Sequence, residues 1–259
     1  MYPYKIFLGL DLYTILIAVG VVCALIVFAV FSDKRGIPSK LTNICLIDCV
    51  LTVIVGYGSA VLFQAFYNYE RTGIFEITSS TGATFYGGLI GGAVFFILFY
   101  FIVGQIVFKD KQHLHNFDKI ASSAACAIPL AHGLGRIGCL MAGCCYGLRS
   151  DTIWGIYMVN LGYKVLPTQL YEAIFLFGLF VFLALRYVKY KRNGNLGVYL
   201  IVYGVWRFAI EYIRADERGN TFISFLSPSQ LTAIVMVLSG IAWLVVISRL
   251  DKRNKKVEA

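Results

Sequence analysis

The sequence predicts an all-α integral membrane protein, a seven-transmembrane helix bundle with the N-terminus outside and the C-terminus inside (N-out/C-in). Three observations predict it. Of 259 residues, 59% are hydrophobic and only 14% are charged, against about 25% charged in a soluble domain. Seven apolar runs recur along the chain, each near the 20 or so residues a helix needs to cross hydrocarbon. Basic residues flank these runs, far more densely on alternate connections.

The runs fall at about 11–31, 44–66, 85–108, 120–140, 169–189, 197–214 and 229–249. Pro129 and several glycines interrupt the fourth, the pattern of a broken helix that lines a cavity. Pro167 and Thr168 make a good start for the fifth. No soluble linker domain separates the runs, so residues 1–259 read as a single transmembrane domain. The first residues lack a basic n-region and an A-x-A site, so no removable signal peptide is expected. No glycine-rich phosphate loop, metal-protease motif or internal repeat stands out.

With the N-terminus outside, the inner connections carry fifteen Lys and Arg and the outer ones six: Lys5, Arg71, Arg149, Lys164, Arg214 and Arg218. The positive-inside rule favours that orientation. The net charge of +9 does not point to nucleic acid, because it borders apolar runs as membrane-flanking charge does.

Two arginines break the pattern. Arg136 and Arg207 lie inside apolar runs. A guanidinium at mid-bilayer costs at least about 2.5–3.5 kcal/mol, so such residues usually serve a function. Arg cannot deprotonate to escape, and its fork of donors matches phosphate and carboxylate. An anionic ligand of the phospholipid-headgroup class is therefore expected. Tyr13, Tyr86, Gln169, Tyr171 and Glu172 lie near outer starts of runs; His132, Arg136, Arg207 and Glu211 lie towards outer ends. Residues remote in sequence thus converge on one depth, which predicts one outward-facing site.

Tyr203, Arg207, Glu211 and Arg214 occur in YGVWRFAIEYIRAD at spacings that share a helical face. Arg207 and Glu211 are either a bundle-holding ion pair or a phosphate-binding Arg oriented by its carboxylate; both can hold together, since Glu211 need not satisfy all five donors. In HGLGRIGCLMAGCCYG, residues 132–147, His132 and Arg136 are four apart among glycines that permit close backbone approach. TFYGGLIGG, residues 84–92, suggests close approach at the start of the third helix, at Gly87 and Gly88, with Tyr86 at the interface. In LPTQLYEA, Glu172 lies about one turn into the membrane, where a carboxylate needs a partner.

Of seven cysteines, Cys23, Cys45, Cys49 and Cys126 lie in apolar runs and read as packing residues. Cys139, Cys144 and Cys145 form a cluster in sequence. C-x4-C-C is not a usual zinc spacing, and no His or acid completes it. A free nucleophilic thiol, a disulfide and small packing residues stay open as readings. A thiolate near Arg136 would be electrostatically favoured.

At these residues the chain resembles the bacterial prolipoprotein diacylglyceryl transferase family. The resemblance runs from about Leu10 to Gly240, through LDLYTILIAVG, FYGGLIGG, HGLGRIGCLMAGCCYG, LPTQLYEAIF, YGVWRFAIEYIRAD and SPSQL in family order. It implies a seven-helix bundle in the bacterial inner (cytoplasmic) membrane that serves lipoprotein biosynthesis. The implied reaction takes phosphatidylglycerol and moves its diacylglyceryl group to the lipobox cysteine of a prolipoprotein, releasing glycerol phosphate. Arg136 matches the family's G-R-x-G arginine; Arg207, Glu211 and Tyr203 match its second Arg, the following Glu and the tyrosine beside them; Tyr13 and Gly147 match as well. The chain also departs from the pattern. Tyr86 stands for a His, Cys139 and Ala142 stand for asparagines, and Cys144 stands for a glutamate.

The expected enzyme is thus a phosphatidylglycerol-dependent transferase acting at the outer leaflet. Arg136, Arg207, Glu211, His132, Glu172 and Tyr86 carry the chemistry; Tyr13, Gly87, Gly88, Cys139, Cys144, Gly147, Gln169 and Tyr203 line the substrate site. His132, Glu172 or Tyr86 would deprotonate the acceptor, and no metal or cofactor is expected. Cys144 shapes the acceptor pocket and does not carry the diacylglyceryl group, because a thioether is a poor leaving group. Alternatives are a paralogue with a glycan or small-alcohol acceptor, and a non-catalytic phospholipid-binding or transport protein.

Overall fold

A computed structural model describes residues 5–7, 9–78, 80–215 and 225–258. Arg218 and Asp216, used in the charge count and the sixth-run motif, lie outside the described residues. Among the described residues, seven helices are long and apolar enough to cross a membrane. They are α1 (Leu12–Lys34), α2 (Ser39–Thr72), α3 (Phe85–Val107), α4 (Gln112–Ala142), α5 (Thr168–Ala184), α6 (Asn195–Ile210) and α7 (Pro228–Glu258). Each matches an expected run, and most extend beyond it, because polar flanks continue the helix past the apolar stretch. The chain is a multi-pass membrane protein.

Two details correct the sequence reading. Pro129 does not break the fourth run; α4 continues through it for 31 residues. The sixth run does not stay helical to 214. α6 ends at Ile210, a tight 3-10 turn covers Glu211–Ile213, and Arg214 is extended.

The chain divides into two compact units. The smaller, residues 36–117, is built on α2 against α3. Glycines make that contact. A Cβ on Gly88 would lie 3.3 Å from the Gly56 carbonyl, and one on Gly87 would lie 2.6 Å from the Phe63 side chain. The close approach expected of FYGGLIGG is present, as packing of α3 against α2.

The larger unit, residues 1–35 and 118–259, holds the other helices. Asp11 caps α1 by accepting from the Thr14 amide at 2.8 Å, a bond that holds its carboxyl below the usual range. Leu176, Leu179 and Leu183 of α5 pack with Tyr187, Tyr199, Tyr203, Ala125 and Cys126. α6 lies against α7 through a second glycine contact: a Cβ on Gly197 would fall 2.8 Å from the Gly240 carbonyl and 2.7 Å from Leu244. At one end, buried polar groups are saturated. Arg35 donates to the Tyr187 carbonyl at 2.6 Å and to Asn193 Oδ1 at 2.7 Å. Asn195 donates to the Leu183 carbonyl at 3.0 Å and accepts from Arg186 Nε at 2.9 Å.

Between α4 and α5 the chain forms a hairpin, β3 (Ile156–Met158) with β4 (Tyr163–Val165). A shorter pair near the N-terminus joins β1 (Lys5–Phe7) to β2 (Leu10–Asp11).

The glycine contact yields a test. Gly197→Ala forces backbone apart and should destabilise by about 1–3 kcal/mol, the usual cost of overpacking. Gly178→Ala, with nothing within 4 Å of the added carbon, should hold or raise stability by up to about 1 kcal/mol. Unfolding in mixed micelles, followed by tryptophan fluorescence, compares the two.

Candidate active site

Four separate segments of the larger unit meet at Glu172. This residue sits one turn into α5 with its side chain fully buried. Arg136 approaches from α4: Nε lies 2.8 Å from Oε2, and Nη2 donates to Oε1 at 3.2 Å. The Tyr203 hydroxyl, from α6, donates to the same Oε1 at 2.8 Å. Arg214 Nη1 is 3.8 Å from Oε2, and His132 Nε2 is 4.0 Å from Oε1. The His132 ring lies edge-on to Tyr203, centroids 5.3 Å apart, and Tyr203 stacks on Tyr199. Glu172 thus finds the partner its depth required. Among the described residues nothing accepts from Arg136 Nη1, and 14% of that side chain stays exposed.

Arg214 was placed in an outer connection and left out of the expected site. A backbone clip delivers it. The Leu148 amide donates to the Ile213 carbonyl at 2.9 Å, and Gly147 pairs with Arg214 as an isolated antiparallel bridge. The Gly147 amide donates to the Leu166 carbonyl at 2.8 Å. A Cβ there would lie 2.5 Å from the Ile213 carbonyl. Gly147 occupies a point where three backbones meet.

Arg207 and Glu211 form the expected pair at 2.9 Å. Two serines that sequence reasoning passed over hold it. Arg207 Nη2 donates to Ser229 Oγ at 2.6 Å, and Ser227 Oγ donates to Glu211 Oε1 at 2.8 Å. Ser227 and Gln230 also exchange reciprocal bonds as a capping box at the start of α7, with Pro228 as its first residue. The S-P-S-Q pattern was the available signal. Arg207 lies within electrostatic reach of both Glu172 and His132.

The three cysteines draw together beside this site, all three Sγ atoms within 4.8 Å of one another. The cause is local. α4 ends in a Schellman motif: the Cys144 amide donates to the Cys139 carbonyl at 3.1 Å, the Gly143 amide donates to Leu140 at 3.2 Å, and Gly143 has φ +74°. That motif puts the residues at its two ends, here Cys139 and Cys144, side by side. Cys145 then takes a left-handed φ of +61°, rare without glycine. Three side chains fix the turn. Asn160 donates to the Gly143 carbonyl at 2.9 Å, Gln169 to Cys144 at 2.7 Å and Thr168 to Cys145 at 2.8 Å. Hydrogen bonds with Cys139 and Cys144, with Arg136 and Arg214 nearby, push the Cys145 thiol down, while bonds with Cys139 and Cys145 push Cys144 up.

Tyr13 lies alongside. A Cβ on Gly138 would sit 3.2 Å from its ring, and Arg136 and the three thiols are within its electrostatic reach. Of the residues expected at one depth, Tyr13, His132, Arg136, Gln169, Glu172 and Arg207 lie around this site, with Tyr203 among them. Tyr171 instead ties down the following loop, donating to the Trp154 carbonyl at 2.6 Å. Tyr86 belongs to the smaller unit, in the first turn of α3.

Comparison with known proteins shows the family. The family model for prolipoprotein diacylglyceryl transferase matches residues 4–246. Phosphatidylglycerol–prolipoprotein diacylglyceryl transferase 2 of Clostridium perfringens is 30% identical over 242 residues, 90% of each chain. The similarly named enzyme of Clostridium tetani is 31% identical over 88% of this chain and 90% of its own. That of Clostridioides difficile is 32% identical over 95% of each.

Removing the central carboxylate should be costly. Glu172→Gln leaves Arg136 without its buried counter-charge, and breaking such a pair costs about 3–5 kcal/mol. Tyr203→Phe removes one hydrogen bond to a charged group and should cost about 1.5–3 kcal/mol. Equal stability of Glu172→Gln and the parent in micelle unfolding would contradict the ion-pair assignment.

Proposed function

Because the chain belongs to the prolipoprotein diacylglyceryl transferase family, we propose that this membrane transferase moves the diacylglyceryl group of phosphatidylglycerol to the lipobox cysteine of a prolipoprotein. One observation carries the reading: a buried guanidinium, Arg136, is pinned on one edge by Glu172 and open on the other. An Arg held that way presents donors to a phosphate without reorganising when charge develops on it. Arg207, fixed by Glu211 and Ser229, is the second phosphate ligand. The names of the relatives supply the lipid, the acceptor class and the group moved.

The reaction asks for two things. The phosphate must leave, and the acceptor thiol must lose its proton. Arg136 and Arg207 serve the first. For the second, Glu172 is a poor choice, since both its oxygens already face cations or a phenol. His132 is the better proton acceptor, held against Tyr203 at the same site. The site opens to the outer leaflet of the bacterial inner membrane, supported by fifteen basic residues on one set of connections against six on the other.

Glycerol phosphate released from phosphatidylglycerol by purified protein, in the presence of a lipobox peptide, tests the activity; the product mass identifies the acceptor. A glycan or alcohol adduct in place of the peptide thioether would overturn the acceptor assignment. Arg136→Ala and Arg207→Ala should each lose about 10²–10³ in turnover, the size seen when one oxyanion donor is removed. Arg207→Lys should not rescue, because an ammonium lacks the planar fork. Normal turnover in a folded Ala variant removes that residue from the mechanism.

Topology has its own test. A cysteine introduced at Lys164 should react with an impermeant maleimide in intact cells, and one at Lys256 should not. The reverse pattern would invert the orientation.

A further inference from the structure

We infer that Cys139, Cys144 and Cys145 hold one Zn²⁺ ion with its fourth position open, and that the acceptor thiol binds there as a thiolate. The first half stands on the thiol geometry alone; the second rests on the transfer reading above.

Three sulfurs no more than 4.8 Å apart place a central point at most roughly 2.8 Å from each, by the geometry of a triangle. A finished zinc site needs about 2.3 Å, so small side-chain rotations complete it. Three protein ligands and one open position are the arrangement of catalytic zinc; four ligands make a closed structural site. Soft thiolates select zinc or copper(I) over the hard cations. Cys139 is buried and Cys144 exposed, so the cluster has a wet side by which an acceptor can enter.

The surroundings are those of a built site. The carbonyls of Gly143, Cys144 and Cys145 are each tethered by a side chain, from Asn160, Gln169 and Thr168. A loop pinned at three successive peptides keeps its side chains in place, as ligand-supporting groups do. Arg136 and Arg214 lie within electrostatic reach of Cys145 and offset the negative charge of a zinc with three or four thiolates. The sequence spacing argued against zinc because it was read along the chain. The Schellman turn shortens that spacing in space.

The acceptor thiol must lose its proton before it attacks; with zinc bound it does so on binding, in place of proton transfer to His132. A thiol bound to zinc is deprotonated outright. Its proton leaves to water on the exposed side. The sulfur electron pair then forms the C–S bond to the glyceryl carbon as the C–O bond to phosphate breaks. Glycerol phosphate departs with the electron pair of the broken C–O bond, and nothing is oxidised or reduced.

Cobalt(II) is the probe. Reduced, metal-stripped protein in detergent should bind one equivalent of Co²⁺ with a thiolate-to-cobalt charge-transfer band. Cys139→Ser, Cys144→Ser and Cys145→Ser should each weaken that band, and Cys23→Ser should leave it intact. Gln169→Leu, which frees the Cys144 carbonyl, should weaken Co²⁺ affinity by about 10–100-fold. A lipobox peptide should shift the cobalt ligand-field spectrum, and the same peptide with Ser for Cys should not. Absence of the charge-transfer band in fully reduced protein, or its persistence in all three Ser variants, overturns the metal site. Full-rate transfer by metal-stripped protein overturns the zinc-bound acceptor and leaves the transferase reading standing. A normal cobalt site and peptide shift, with phosphatidylglycerol uncleaved under any metal, overturns the transferase reading and leaves the thiol site standing.

Discussion

A fully buried carboxylate within a membrane helix organises this protein. Glu172 cannot rely on lipid for solvation, so its charge must be met by the chain. Arg136 from α4, Tyr203 from α6 and Arg214 from the segment after α6 all answer it. Each partner belongs to a different stretch of sequence. The need to neutralise one group therefore fixes how three stretches stand around α5. A pair of this kind adds little net stability, because desolvation offsets attraction, yet losing one partner is severe. The site is better understood as a device for holding Arg136 at a chosen angle than as a source of fold stability.

Two half-buried arginines elsewhere in the chain show what distinguishes a poised guanidinium. Arg35 is spent on backbone and amide oxygens and also lies over the Tyr187 ring at 4.4 Å. Arg186 is divided between Asn195 and the Asn193 carbonyl. Those side chains close off ends of helices, where unpaired carbonyls need donors. Arg136 meets a single carboxylate with one edge and keeps the other. Composition cannot separate these uses; geometry does.

The loop between α4 and α5 supports the site more than its length suggests. Its first residues end α4 in a left-handed turn, its middle forms the β3–β4 hairpin, and its strand-like part clips the chain after α6. One consequence is the position of Arg214. Another is the cluster of three thiols. Both depend on glycine at tight points, Gly143 for a positive φ and Gly147 for the approach of three backbones.

The sequence by itself determined the class, the seven spans and most of the charged centre. Hydrophobic length is a one-dimensional property, and lipid punishes an unpaired charge severely enough that Arg136, Arg207, Glu172 and Glu211 stand out where they occur. The i,i+4 pairing of Arg207 with Glu211 was legible for the same reason, since helical spacing is local. Pro129 misled, because a proline counted in sequence looks like a break, while α4 carries on through it. The sixth helix was drawn too long, since nothing in its apolar pattern records the tight turn at Glu211–Ile213. Glycines at 87, 88 and 147 also sit at close packing contacts, Gly87 against the Phe63 side chain and Gly88 and Gly147 against backbone carbonyls, which sequence alone does not reveal. Tertiary structure alone decided that Arg136 pairs with Glu172, that Arg214 joins them and that the thiols of Cys139, Cys144 and Cys145 meet. Those pairings join segments tens of residues apart or hinge on one left-handed turn, and neither leaves a periodic signal in the chain.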